Sequence, residues 1–223
     1  MKIIRKQVTK ILNRLLRKIA FLSKVLFGVK IIGGKRIHWD FTTLILKKVL
    51  KKRIRPGHKV LEIGTGPHAI LSIYIAKRVL CDITACDINA EYVENAMKTA
   101  VMNDVSLKIV QSDLFENIEG KFDIIFWNSI YIPYKIGKSL DIDNICQYET
   151  DWCGGETGFE SIERFLQSSH NHLKSSGKIL LGFNNLYLKE NIVKQKCEGL
   201  GFLIESVSRK FLNPSRVIII SKI

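Results

Sequence analysis

Residues 60–66 read Val-Leu-Glu-Ile-Gly-Thr-Gly, and Asp87 closes the next apolar run 21 positions beyond Gly66. An apolar strand pattern that runs into glycines and then straight into a helical pattern leaves a chain little choice. The glycines let the backbone turn sharply and approach a ligand closely, which a Cβ would prevent. The carboxylate at the tip of the second strand stands where such units hold ribose hydroxyls. Without a ligand, the same residues are an ordinary glycine turn of an α/β protein.

The alternation continues on both sides. Thr42–Lys52 has helical spacing and ends in a basic run before Pro56-Gly57, a turn. Val60–Gly64, Asp82–Asp87, Leu107–Ser112, Phe122–Asn128, Ile179–Asn184, Phe202–Arg209 and Val217–Ile220 read as strands. Ala69–Val79, Ala90–Asn103, Phe159–Leu173 and Lys189–Glu198 read as helices, with a turn at Gly177. This pattern predicts an α/β chain with a doubly wound, mainly parallel seven-stranded sheet. Its last two strands have no helix between them, so they pair antiparallel. Residues 129–156 form a long segment rich in aromatics, and a loop of that length in a compact domain is usually functional.

The run Gly64-Thr65-Gly66-Pro67-His68-Ala69 also satisfies the dinucleotide pattern, so the glycines alone do not name the cofactor. Glu62 decides between the candidates. Its charge would repel a pyrophosphate but attract the ammonium of a methionine moiety, which favours S-adenosylmethionine over a nicotinamide dinucleotide. Ligands of such sheets bind beyond the carboxyl ends of the strands. That places Glu62, Gly64, Thr65 and Gly66 there, together with Asp87 and Ile88, Asp113 and Leu114, and the segment Asn128–Pro133. Asp113 could accept a hydrogen bond from an adenine amino group or serve as a turn residue. His68 reads as a surface histidine, with contact to the cofactor's carboxylate as the alternative.

The net charge of +14 is uneven: residues 1–40 hold eleven Lys or Arg and one acid, Asp40. Apolar residues from Ile4 to Leu26 at steps of three and four make this leader an amphipathic helix with a cationic face. Residues 1–35 are therefore set apart as a leader and 36–223 as the main domain. The leader could pack on the domain or on a partner protein, lie on an anionic membrane surface, or track RNA phosphates. Five cysteines without CxxC spacing read as reduced thiols of a cytoplasmic protein, not as zinc ligands or disulfides. No metal site is expected.

Three stretches carry a resemblance that extends over roughly residues 36–223. They are Leu61–Gly66, Phe122–Pro133, and Gly154-Gly155-Glu156-Thr157-Gly158-Phe159-Glu160 with the helix and turn after it. Together they resemble the class I methyltransferases, and within them the HemK-type release-factor glutamine methyltransferases. The resemblance implies a Rossmann-like methyltransferase fold and methyl transfer to an amide or amino nitrogen. Asn128 and the Ser129 carbonyl would hold that nitrogen, Tyr131 would pack beside it, and Ile130 and Pro133 would complete the substrate loop. The acceptor would be a protein glutamine, a nucleic-acid base or a small metabolite. Where the family has two prolines this chain has Ser129 and Ile130, which removes two φ restraints and adds two N–H groups. Either other contacts hold the loop, or the acceptor is not glutamine. The family's acid followed by threonine is replaced by Phe41-Thr42, with Asp40 as a stand-in. A degenerate binding module for RNA or a membrane, and a nicotinamide-dependent oxidoreductase, are the rival readings.

Overall fold

The computed structural model describes residues 20–32, 39–142 and 146–223. Most of the expected leader helix, and the boundary set at residues 35 and 36, lie outside the described residues. Helix α1, Ala20–Phe27, is followed by α2, Phe41–Arg53. The side chain of Asp40 accepts from the Thr43 N–H while the Thr43 side chain accepts from the Asp40 N–H, a reciprocal cap on α2. Lys51, Lys52 and Arg53 occupy its last turn, where cations suit the helix dipole.

Seven strands then form one sheet: β1 Lys59–Ile63, β2 Asp82–Asp87, β3 Lys108–Gln111, β4 Phe122–Asn128, β5 Leu173–Asn184, β6 Phe202–Arg209 and β7 Ser215–Lys222. Their order is β3-β2-β1-β4-β5-β7-β6. The first five are parallel, and β7 lies antiparallel between β5 and β6. The strand order turns outward in opposite directions from β1 and β4, opening a crevice beyond their carboxyl ends.

The crossovers are α3, Ile70–Ala76, and α4, Ala90–Met102, then α5, Tyr134–Ser139, with α6, Glu160–His172, and finally α7, Glu190–Gly199. Alternate strand residues face opposite sides. Val60, Ile83, Ile124, Phe126 and Leu180 pack with α2, α3 and α4, whereas Leu61, Ile125, Trp127, Ile179 and Leu181 pack with α6 and α7. Phe27, at the end of α1, is fully buried on the first side, edge-on to Trp39 and Tyr74.

Two local expectations differ. The predicted turn at Gly177 lies inside β5, which begins at Leu173; the pairing with β4 skips from Phe122↔Leu173 to Ile124↔Lys178, so the extra residues are absorbed as an irregularity in the strand. The helix expected from Ala69 starts at Ile70, because Gly66–His68 form a tight turn of 3-10 helix and Ala69 takes a left-handed φ of 43°. The segment 129–156 is not all loop, since it contains α5 and a short 3-10 turn, Glu149–Asp151.

Candidate active site

A cavity of about 530 Å³ opens at the carboxyl ends of β1, β2 and β4. Its first half is built by the glycine loop. Gly64 and Gly66 have φ of 61° and 64°, and a Cβ at Gly64 would stand 2.8 Å from Trp127 Nε1 on β4. The loop is tied to both predicted carboxylates. Asp87 Oδ2 accepts the Gly66 N–H at 2.8 Å and Oδ1 accepts the Asn89 N–H at 3.0 Å. Glu62 Oε2 accepts from the Thr65 hydroxyl at 2.9 Å, the Ser72 N–H at 3.2 Å and the Ser72 hydroxyl. None of these three bonds uses Oε1.

Both acids are buried at the cavity wall, Glu62 at 6% exposure and Asp87 at 7%. Burial raises the Glu62 carboxyl to about 7, against the bonds from Ser72 and Thr65 that lower it. Burial likewise raises Asp87 to about 6, with the Asn89 and Gly66 bonds opposing and the Asp151 charge adding to it. Two buried carboxylates beside an open cavity are poised to ionise when a cation arrives. Ile88 is 45% exposed beside them and lines the same cavity. At the rim, Asp113 Oδ2 is held by Arg164 at 2.9 Å, and Leu114 has a left-handed φ of 50°. His68 is not at the surface as expected: it is 2% exposed, with Nδ1 3.3 Å from the Thr99 hydroxyl, because the 3-10 turn points it at α4.

The second half gathers residues from distant parts of the chain. Asn128 Nδ2 donates to Asp40 Oδ1 at 3.3 Å and to Thr43 Oγ1 at 3.2 Å. With the amide fixed in that sense, Asn128 Oδ1 is buried without a hydrogen-bond partner. Tyr131 reaches the other Asp40 oxygen with its hydroxyl at 3.5 Å and stacks on Tyr187 at 6.2 Å between centroids. Ser129 turns both its N–H (3.0 Å) and its hydroxyl (2.7 Å) to the Gly182 carbonyl on β5.

The glycine-rich stretch explains the rest of the loop. Ile132 and Gly154 are joined by a backbone bond of 3.0 Å, and a Cβ at Gly158, where φ is 87°, would meet the Tyr131 carbonyl oxygen at 2.5 Å. Other contacts thus hold the segment that lacks the two prolines. Ile130 lines the cavity with Asn128, Ser129 and Tyr131; Pro133 does not, being buried beside Gly158 at the start of α5.

Sequence reading had not placed Thr43, Tyr92, Asp151, Arg164, Asn184 or Tyr187 at this cavity, which all of them line. Tyr92 donates to Asp151 at 2.9 Å across 59 positions, and burial with the Asp151 charge pushes its hydroxyl pKa well up. Only Thr43 had a local signal, as the third residue after an Asp that opens a helix.

A doubly wound sheet in this order, with two buried acids and a glycine loop around a nucleoside-sized cavity at the first strand tips, defines a class I S-adenosylmethionine-dependent methyltransferase. The methyltransferase small domain family matches residues 35–144. A candidate protein N5-glutamine methyltransferase of Methanocaldococcus jannaschii is 35% identical over 166 residues, covering 74% of this chain and 80% of that one. The release factor glutamine methyltransferase of Lactococcus lactis is 30% identical over 143 residues, 63% of this chain and 52% of that one, so the chain spans about half of that relative. A solved methyltransferase structure from Pyrococcus furiosus shares the fold with a TM-score of 0.67 at 23% identity, over 95% of this chain and 97% of that one. The chain belongs to the HemK-type family of S-adenosylmethionine-dependent N-methyltransferases.

Proposed function

We propose that this enzyme methylates the side-chain amide nitrogen of a glutamine in a protein. Asn128 Oδ1 carries the reading. A buried acceptor without a partner costs about 1–3 kcal/mol, and its own amide N–H groups are already committed to Asp40 and Thr43. It therefore calls for an N–H donor from outside the chain, such as a primary amide. Once bound, S-adenosylmethionine supplies a methyl already activated by its sulfonium. The protein's own task is placement and exclusion of water.

Asn128 Oδ1 and the Ser129 carbonyl would accept the two amide N–H bonds and turn the nitrogen's remaining electron density toward the methyl; as the N–CH₃ bond formed the S–CH₃ bond would break, S-adenosylhomocysteine would leave, and one amide proton would pass to solvent. Tyr131 walls the slot from water, and Ile130 lines it. Glu62 and Asp87 would hold the cofactor's ammonium and ribose hydroxyls, backed by Gly64, Thr65 and Gly66, with Ile88, Asp113 and Leu114 lining the cavity beside them. The five cysteines all carry free thiols, which fits action in the reducing cytoplasm.

The test is Asn128→Ala. Transfer of labelled methyl to a glutamine-bearing release factor should be lost, by about 10²–10³-fold or more, while S-adenosylhomocysteine binds as before. Undiminished turnover would refute the assignment.

A further inference from the structure

We infer that the outward face of α1 is a docking surface for an anionic lipid bilayer. This helix has two apolar faces. Phe27 is buried, and Leu22 and Leu26 pack inward on the core. Phe21 and Val25, one turn apart, face outward at 68% and 61% exposure, with Lys24 exposed between them. A surface helix needs one apolar stripe to hold it to its domain; the second is left in water.

Cations gather at the carboxyl end of the same helix. Lys47 Nζ donates to the Leu26 carbonyl and Lys77 Nζ to the Gly28 carbonyl at 3.1 Å, which pins the end of α1 to the domain. The Arg78 guanidinium lies 4.1 Å from the centre of the Tyr74 ring, beside Gly28, and Lys30 is exposed. Among the described residues no acid forms an ion pair with Lys24, Lys30, Lys47, Lys77 or Arg78. Burial, and then the nearby charges of Arg78 and Lys51, lower the Lys47 pKa. Residues 1–39 contain no acid.

Exposed apolar side chains with Lys24 among them, and further cations that no acid neutralises nearby, match an interface where the former enter the acyl boundary and the latter meet headgroup phosphates. An RNA would use the cations and leave Val25 in water. No described helix is long and apolar enough to cross a membrane, so the contact is in the plane of the surface.

Full-length protein is sedimented with vesicles of phosphatidylcholine containing about one-third phosphatidylglycerol, and with phosphatidylcholine alone. Binding should require the anionic lipid and weaken as salt is raised. The double variant Phe21→Ser/Val25→Ser should bind these vesicles roughly tenfold more weakly or worse, with its melting temperature and S-adenosylhomocysteine affinity unchanged. If that variant folds poorly, Lys24→Glu alone should still cut anionic binding several-fold. Equal partition to both vesicles overturns the proposal. So does full retention by the variants, or a transfer-RNA probe that competes the protein off the vesicles and binds independently of Phe21 and Val25.

Discussion

The two halves of the cavity are held together in different ways. The half we assign to the cofactor is wired through backbone: Gly66 N–H to Asp87, Asn89 N–H to Asp87, Ser72 N–H to Glu62. Its members come from one βαβ unit, and its acids carry raised pKa values because they are buried before any cation is present. The acceptor half is wired largely through side chains, with Asp40 and Thr43 gripping Asn128 from more than eighty positions away. One half is local and electrostatic; the other is assembled from separate elements and depends on orientation. The contrast teaches that binding and turnover should respond to different substitutions.

The largest separation is expected at Asp87. Asp87→Ala should weaken S-adenosylhomocysteine binding about 100-fold, since a charged hydrogen-bonding group contributes about 1.5–3 kcal/mol per bond, and turnover at saturating cofactor should change little. Affinity retained within a factor of about two would remove Asp87 from the cofactor half.

Acidity gives the next effect. The folded protein holds Glu62 at about 7 and Asp87 at about 6, both above ordinary carboxylates. Their protonated forms thus favour the fold: that stability is full below about pH 4 and is lost as pH rises through 6 and 7. Binding a cation runs the other way, since it needs the ionised forms. Calorimetry should show cofactor affinity rising roughly tenfold from pH 6 to 8 with proton release at the lower end, while the unliganded melting temperature loses this contribution earlier, between about pH 4 and 7. A flat affinity profile would mean the two acids do not face the ligand's charge.

Asp40→Ala addresses the acceptor half. Turnover should fall roughly tenfold as Asn128 loses its orientation, and stability by about 1 kcal/mol as α2 loses its cap. Asp40→Asn should restore the stability and only part of the rate; equal recovery of both would make Asp40 a helix cap and nothing more. The smallest effect is at Ser129→Ala, where one hydroxyl bond to Gly182 is lost. A melting temperature about 2–4 °C lower with little change in turnover is expected. A large rate loss there would show that the hydroxyl acts in transfer.

The same contrast decides what could be read in the sequence. Two glycines and an acid 21 positions on describe a local geometry, and the structure ties Gly66 to Asp87 directly. The mainly parallel sheet and its antiparallel terminal pair followed from alternation, because strands joined through helices run parallel and the last two have none between them. Asp40 was visible only as a stand-in acid, since nothing local says that the start of α2 touches the end of β4. The Tyr92–Asp151 bond had no signature at all across its 59 positions. His68 was misplaced because a polar residue after Gly-Pro looks exposed until the turn's direction is known. Gly177 reads as a turn because glycine punctuates most chains, and here the strand passes through it.

The double engagement of Asp40 ties two properties that most enzymes can vary separately. The same carboxylate begins a helix and aims an amide, so drift at this position is filtered twice, once by folding and once by chemistry. A lineage that needed to reshape the acceptor slot would find this corner closed, and would have to vary the aromatic wall at Tyr187 instead.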